Sequence, residues 1–165
     1  MHNYMTVTRE ETKTNWNRTL PSNELFLDRW DKAKFLKFGE GSSVYDSCVV
    51  LGDVKAGKNV WVGPFTLLDA SGGLTIGDGC NISAGVQIYT HDTVNRCLSE
   101  GKEEVRYAST EIGAYSHIGA GSIILKGVSI GNHCVVGAGC VVTKSFPAHS
   151  IIVGVPGKII RKNSV

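Results

Sequence analysis

The sequence has no run approaching the roughly 20 consecutive apolar residues that a membrane-spanning helix needs. Its first residues, MHNYMTVTREETK, carry neither a basic start nor an apolar core, so no secretory signal is read there and a cytoplasmic location is expected. Charge is sparse, at 19% Asp, Glu, Lys and Arg, yet 42% hydrophobic content excludes a disordered chain. The five cysteines include no CxxC pair, which argues for reduced thiols and against a metal site. Acidic residues are missing from 112–165, where five basic ones stand (Lys126, Lys144, Lys158, Arg161 and Lys162), against 12 basic and 15 acidic in 1–111. One end is therefore positive, a field that attracts a multiply charged anion. Without interleaved aromatics it makes a weak case for nucleic acid.

What is present is a period of six. Val44, Val50, Ala56, Val62 and Leu68 are followed by Ile76, Ile82 and Ile88, then by Ile112, Ile118, Ile124, Ile130, Val136 and Val142. Seven of these 14 leads are followed directly by Gly, which turns a chain without a Cβ clash. Four places after each lead stands a small residue in most hexads, including Cys48, Cys80, Cys134 and Cys140, with Gly72, Asp92 and Phe146 as departures. Two inward positions per hexad predict a parallel β-helix, in which each rung buries its apolar residues against its neighbours. Fourteen hexads on three faces make about 4–5 coils. The chain divides into an N-terminal arm and cap at 1–43, the β-helix at 44–161 and a short tail at 162–165. Residues 1–21 read as a polar, poorly ordered arm. Residues 22–37 read as a short helix or a pair of strands over the first coil, with Ser22 as a possible N-cap.

The period breaks twice. Leu68 to Ile76 is eight residues, a bulge around Asp69–Gly73, and the 93–109 segment refuses the pattern and reads as a protruding loop. Rotation of hexads among three faces puts both breaks at one corner, a coil apart, about 4.8 Å along the axis. Loops on one edge of a solenoid mark a site.

His91, in IYTHDT, stands at the mouth of the longer loop, where an imidazole is suited to act as a general base. The plainer alternative is a surface histidine. His117 could line a groove or simply sit at a solvated corner. Lys126 and Lys144 each follow a lead by two residues on the His91 face, a like-charge column that either flanks an anion or splays into water.

These residues carry a resemblance: VWVGPFTLLDASGGLTIGDGCNISAGVQIYTHD, then IGAYSHIGAGSIILKGVSIGNHCVVGAGCVVTKSFP, then VGVPGKIIR. Over about residues 44–161 the chain resembles the hexapeptide-repeat acyltransferases, a left-handed parallel β-helix superfamily, and within it the O-acetyltransferases of sugars and surface polysaccharides. The left hand is implied by that resemblance alone, since parallel crossovers generally favour the right. The resemblance implies a homotrimer with acetyl-CoA in the groove between neighbouring helices, and His91 as the base that takes a proton from an acceptor hydroxyl. It also implies that Ala120 and Ala138 meet the pantetheine arm, Thr143 and Lys144 the nucleotide end, and Lys158 and Arg161 the phosphates. Galactoside-type relatives carry an asparagine and an aspartate in the acceptor pocket. Here Gly63–Pro64 stands near the first, and only Asp69, by a gapped match, near the second. Asp69, Ser71 and Asp92 are therefore expected to border the acceptor, a sugar or other glycan precursor whose identity does not carry over.

Three rivals follow. An N-acetyltransferase acting on a nucleotide-linked amino sugar uses the same donor and helix. A non-catalytic β-helix binding module needs no His91. A γ-class carbonic anhydrase needs two histidines five residues apart, and His117 has Ser122 at that spacing.

Overall fold

The structure, a computed structural model, describes residues 2–164. Its architecture follows from the hexad. All the leads are buried except Val50 and Ala56, which are partly buried, and the small residues four places on, from Cys48 to Cys140, are buried with them. A side chain at this second position lies under a corner, where backbone carbonyls turn inward. Small polar groups fit there because they bond those carbonyls: Ser122 Oγ donates to Gly119 O at 2.7 Å and Gly137 O at 2.9 Å, and Thr66 Oγ1 to Gly63 O at 3.1 Å.

Three parallel sheets form the faces. The first stacks Ser43–Val44, Trp61–Val62, Asn81–Ile82, His117–Ile118, Val135–Val136 and Ser150–Val153. The second stacks Val49–Leu51, Leu67–Asp69, Gln87–Ile88, Ile123–Ile124 and Val141–Val142, so Val50, Leu68, Ile88, Ile124 and Val142 pair in register as the period requires. The third stacks Val54–Ala56, Leu74–Ile76, Thr110–Ile112 and Ser129–Ile130. The coil therefore turns about six times rather than 4–5. The extra turn comes from Phe146, which is buried and bridges Ile130 in parallel as a lead would, carrying the chain on to Ser150–Val153. The repeat tolerates no side chain at its tightest corners. A Cβ on Gly119 would lie 2.6 Å from Ala138 N, on the coil above.

Both ends are closed. At the first coil, the helix Arg29–Phe35 packs on Ser43–Val44 and adds Ala33 to the core, while a 3-10 turn at Ser22–Leu25 buries Leu25 within the cap. Asp28, not Ser22, caps that helix, accepting from Trp30 N at 2.7 Å. Lys32 Nζ reaches across to Asp46 O and Cys48 O at 2.6 and 2.8 Å, and the Glu24 carboxylate accepts from the N–H groups of Asp46 and Ser47. Residues 2–16 form a helix, where the sequence reads as a poorly ordered arm. Its sequence shows no apolar stripe, and its hold is local, through a buried Thr12 and a Tyr4–Phe26 ring stack. At the far end Lys158–Lys162 pairs antiparallel with Ser150–Val153 and covers that edge. No helix among the described residues is long and apolar enough to cross a membrane.

Candidate active site

Both breaks in the period emerge at the corner between the second and third faces, and there they meet. The strand Leu67–Asp69 ends on Asp69, whose carboxylate is turned inward with no exposed surface. The two extra residues let the chain double back beneath the next coil. Gly72 permits this, since its missing Cβ would lie 2.3 Å from Thr90 O, and Gly72 N donates to Thr90 Oγ1 at 2.8 Å. One coil on, His91 follows the strand Gln87–Ile88, and its Nδ1 lies 2.7 Å from Asp69 Oδ2.

The carboxylate is held on all sides. Oδ2 accepts from Thr90 N at 2.8 Å and Thr90 Oγ1 at 3.2 Å, while Oδ1 accepts from Ser71 N at 3.0 Å and from the Ser71 hydroxyl. Burial by itself pushes the Asp69 carboxyl up. The hydrogen bonds from the Ser71 hydroxyl, Thr90 N–H, Ser71 N–H and His91 ring outweigh it and hold the group well below the usual carboxylate range. Asp69 is therefore an anion at neutral pH, and an anion at Nδ1 keeps the proton of a neutral imidazole on that nitrogen. Nε2 is then the basic nitrogen. The His91 side chain is 31% exposed, so the ring is open in part to solvent. Ser71 Oγ also approaches Nδ1, at 3.2 Å.

The 93–109 excursion is more ordered than a loop. It departs through His91–Asp92, forms a short helix at Val94–Leu98 and returns as Arg106–Tyr107, paired antiparallel with His91–Asp92. That pairing sets the Tyr107 ring 5.9 Å from the His91 ring, centroid to centroid. Asp92 bonds Val94 N at 3.1 Å and pairs with Lys126 Nζ at 3.3 Å. The Val94 bond and then Lys126 hold its carboxyl below the ordinary range. A groove of about 540 Å³ runs beside these groups, bounded by His91, Asp92, Lys126 and Thr143 with apolar lining from Val94 and Leu125.

The structure thus gathers Asp69, Ser71, His91, Asp92 and Thr143 at one edge. Asp69, fully buried, faces His91 rather than the groove. Ala120 and Ala138 are exposed at the other end of the second face, on successive coils joined by Gly139 N donating to Ala120 O at 2.9 Å. Lys144 lies 5.8 Å over the Phe146 ring and Lys126 is committed to Asp92, so the lysine column splays apart. Lys158 and Arg161 are exposed on the terminal strand, on the first face and between three and four strand spacings along the axis from His91. Sequence reasoning missed Thr90 and Tyr107. Thr90 sits outside both inward positions of the hexad, and Tyr107 reaches His91 only through a strand pairing that no period announces. Ser122 stands where a zinc-ligating histidine would be needed for the carbonic anhydrase reading, and its hydroxyl is spent inside the coil.

Two family models match, a bacterial transferase hexapeptide of six repeats over residues 109–144 and the hexapeptide repeat of succinyl-transferase over 54–90. The serine acetyltransferase of Staphylococcus aureus strain Mu50 is 33% identical over 104 residues, 63% of this chain and 47% of the relative. A second protein of that organism, from strain COL, carries an acetyltransferase name (SACOL2570) and is 39% identical over 112 residues, 67% of this chain and 55% of its own length. The chain spans about half the length of the curated relatives it matches. Among solved structures, AntD, an N-acyltransferase from Bacillus cereus in complex with dTDP and 3-hydroxybutyryl-CoA, superposes with a TM-score of 0.70 at 27% identity, covering 77% of this chain and 72% of that one. Repeat, coil and relatives agree: the chain belongs to the hexapeptide-repeat acyltransferase superfamily, whose β-helix is left-handed.

Proposed function

We propose that this protein transfers an acetyl group from acetyl-CoA to a hydroxyl of a small sugar or glycan precursor, with His91 as general base. The observation that carries the reading is the 2.7 Å contact between His91 Nδ1 and the buried Asp69 carboxylate. A neutral amine is nucleophilic enough to attack before it sheds its proton. A hydroxyl must lose its proton as it attacks, and an imidazole backed by an anion suits that demand. His91 Nε2 takes the proton as the acceptor oxygen bonds to the thioester carbonyl carbon, the C–S bond breaks, and the imidazolium returns its proton to the departing CoA thiolate. Such base catalysis is worth about 10²–10⁴-fold.

In this reading Asp69 is a positioning residue rather than an acceptor ligand. Ser71 steadies it, and Asp92 and Lys126 border the acceptor. Ala120 and Ala138 offer successive backbone turns to the pantetheine arm, Thr143 and Lys144 face the nucleotide, and Lys158 and Arg161 meet the phosphates. Thr143 shares the His91 groove, whereas Ala120, Ala138, Lys158 and Arg161 lie on other edges of the same chain, which suits a site completed between copies, and we take the active unit to be a homotrimer working in the cytoplasm. A second reading, N-acylation of a nucleotide-linked amino sugar, is favoured by the likeness to AntD, an N-acyltransferase in complex with dTDP.

Thiol release from acetyl-CoA over a panel of sugars, serine and nucleotide-linked amino sugars tests both, followed by hydroxylamine treatment of the product. O-acetylation predicts an ester that hydroxylamine cleaves. A resistant amide would favour the second reading, and no turnover on any acceptor would count against both.

A further inference from the structure

We infer that the N-terminal cap holds a second ligand site, for a small aromatic anion. Between the helix of residues 2–16, the cap and the first coil lies a cavity of about 330 Å³ whose lining shares no residue with the His91 groove. That volume is at the lower end of the range for small-molecule pockets. It is lined in part by Trp16, Phe26, Trp30 and Tyr45 and by Arg18 and Arg29. Both arginines converge on one phenol: Arg29 Nη1 donates to Tyr45 Oη at 3.2 Å and Arg18 Nη1 at 3.5 Å.

Two like charges on one neutral oxygen call for an anion. Three carboxylates also line the cavity, yet none is within ion-pair distance of either arginine. Glu24 is occupied by the N–H groups of Asp46 and Ser47, Asp28 by Trp30 N, and Asp31 by Lys34. Among the described residues neither Arg18 nor Arg29 is in an ion pair with a carboxylate, and Arg29 Nε is buried without a hydrogen-bond partner. A buried donor left unpaired is unfavourable, and a planar fork of donors is matched by a carboxylate or phosphate. The Arg29 guanidinium lies 4.2 Å from the Trp30 ring centroid and 5.4 Å from that of Tyr45, so the cation is already set among aromatic faces. The ligand class is thus a flat ring bearing one carboxylate or phosphate.

Trp16 and Trp30 provide the readout. Titration of the full chain with phenyl phosphate, benzoate, inorganic phosphate and benzyl alcohol, followed by tryptophan fluorescence, is expected to give saturable binding of phenyl phosphate or benzoate. Whichever of the two binds tighter identifies the anionic group. Arg29→Gln should weaken that binding at least about tenfold, the scale of a lost charge-assisted pair. Arg18 is exposed, so Arg18→Gln tests the same claim in a variant whose fold is not at risk, with circular dichroism as the check on both. Absence of saturation by either aromatic anion up to 10 mM, about as tight binding of benzyl alcohol or inorganic phosphate, or affinities unchanged in both arginine variants would each overturn the proposal.

Discussion

Replacing Asp69 by Asn tests the link between the buried carboxylate and the basic nitrogen of His91. The two side chains are nearly isosteric, and the amide oxygen still accepts from neighbouring N–H groups. Its NH₂ group, however, donates where the carboxylate could only accept. Turned toward Nδ1, it favours the tautomer with the proton on Nε2, the nitrogen the mechanism needs unprotonated. In a Ser-His-Asp triad the equivalent change removes about 10⁴ from kcat, and general base catalysis itself contributes about 10²–10⁴. For Asp69→Asn we therefore expect kcat to fall by about 10²–10⁴, or about 2.7–5.4 kcal/mol of barrier, with the KM for acetyl-CoA unchanged. Loss of stability should be much smaller, about 1–3 kcal/mol, the range for a disturbed buried hydrogen-bond set. Steady-state kinetics with urea unfolding of the same preparation separates the two. A kcat within threefold of wild type, in a folded variant, would refute the reasoning.

Four further outcomes follow. Because the Asp69 carboxyl lies below its ordinary range in the folded state, it contributes stability above the unfolded value of about 3.9 that is lost as pH falls below it; the urea midpoint of the wild type should drop below about pH 4, and that acid-side slope should shrink in Asp69→Asn. Thr90→Val removes the acceptor for Gly72 N and one donor to Asp69 at nearly constant volume, so kcat should fall about tenfold while far-ultraviolet circular dichroism is preserved. Gly119→Ala drives a Cβ into the backbone of Ala138 and should lower stability by about 1–3 kcal/mol by thermal unfolding. Burial pushes the Cys48, Cys80 and Cys140 thiols up, whereas Cys97 is exposed on the excursion, so iodoacetamide should label Cys97 first in the native protein and mass spectrometry should locate a single early adduct.

The solenoid was legible because a β-helix is a one-dimensional object whose core is written in the local period. Each lead from Val44 to Val142 falls where the spacing puts it, and the second-face pairings follow. The sixth turn was not legible, since Phe146 substitutes for an aliphatic residue after the hexads lapse at SFPAHS. The helix at residues 2–16 was hidden for the opposite reason: it carries no apolar stripe and is held by contacts from the cap, which period cannot report. At the site, the breaks in period located the edge and His91 by position. They did not tell which way Asp69 points. That depends on the SGG turn folding Gly72 against Thr90, a three-dimensional closure between segments about 20 residues apart. Tyr107 and the Asp92–Lys126 pair needed the path of the excursion, which a non-repeating segment does not disclose.

The most direct measurement is thiol release from acetyl-CoA by wild type and His91→Ala, side by side on the best acceptor of the panel, with both proteins matched for helix content by circular dichroism. The account predicts a loss of about 10²–10⁴ in kcat for His91→Ala with acetyl-CoA binding retained. Turnover by the variant equal to that of the wild type would contradict it.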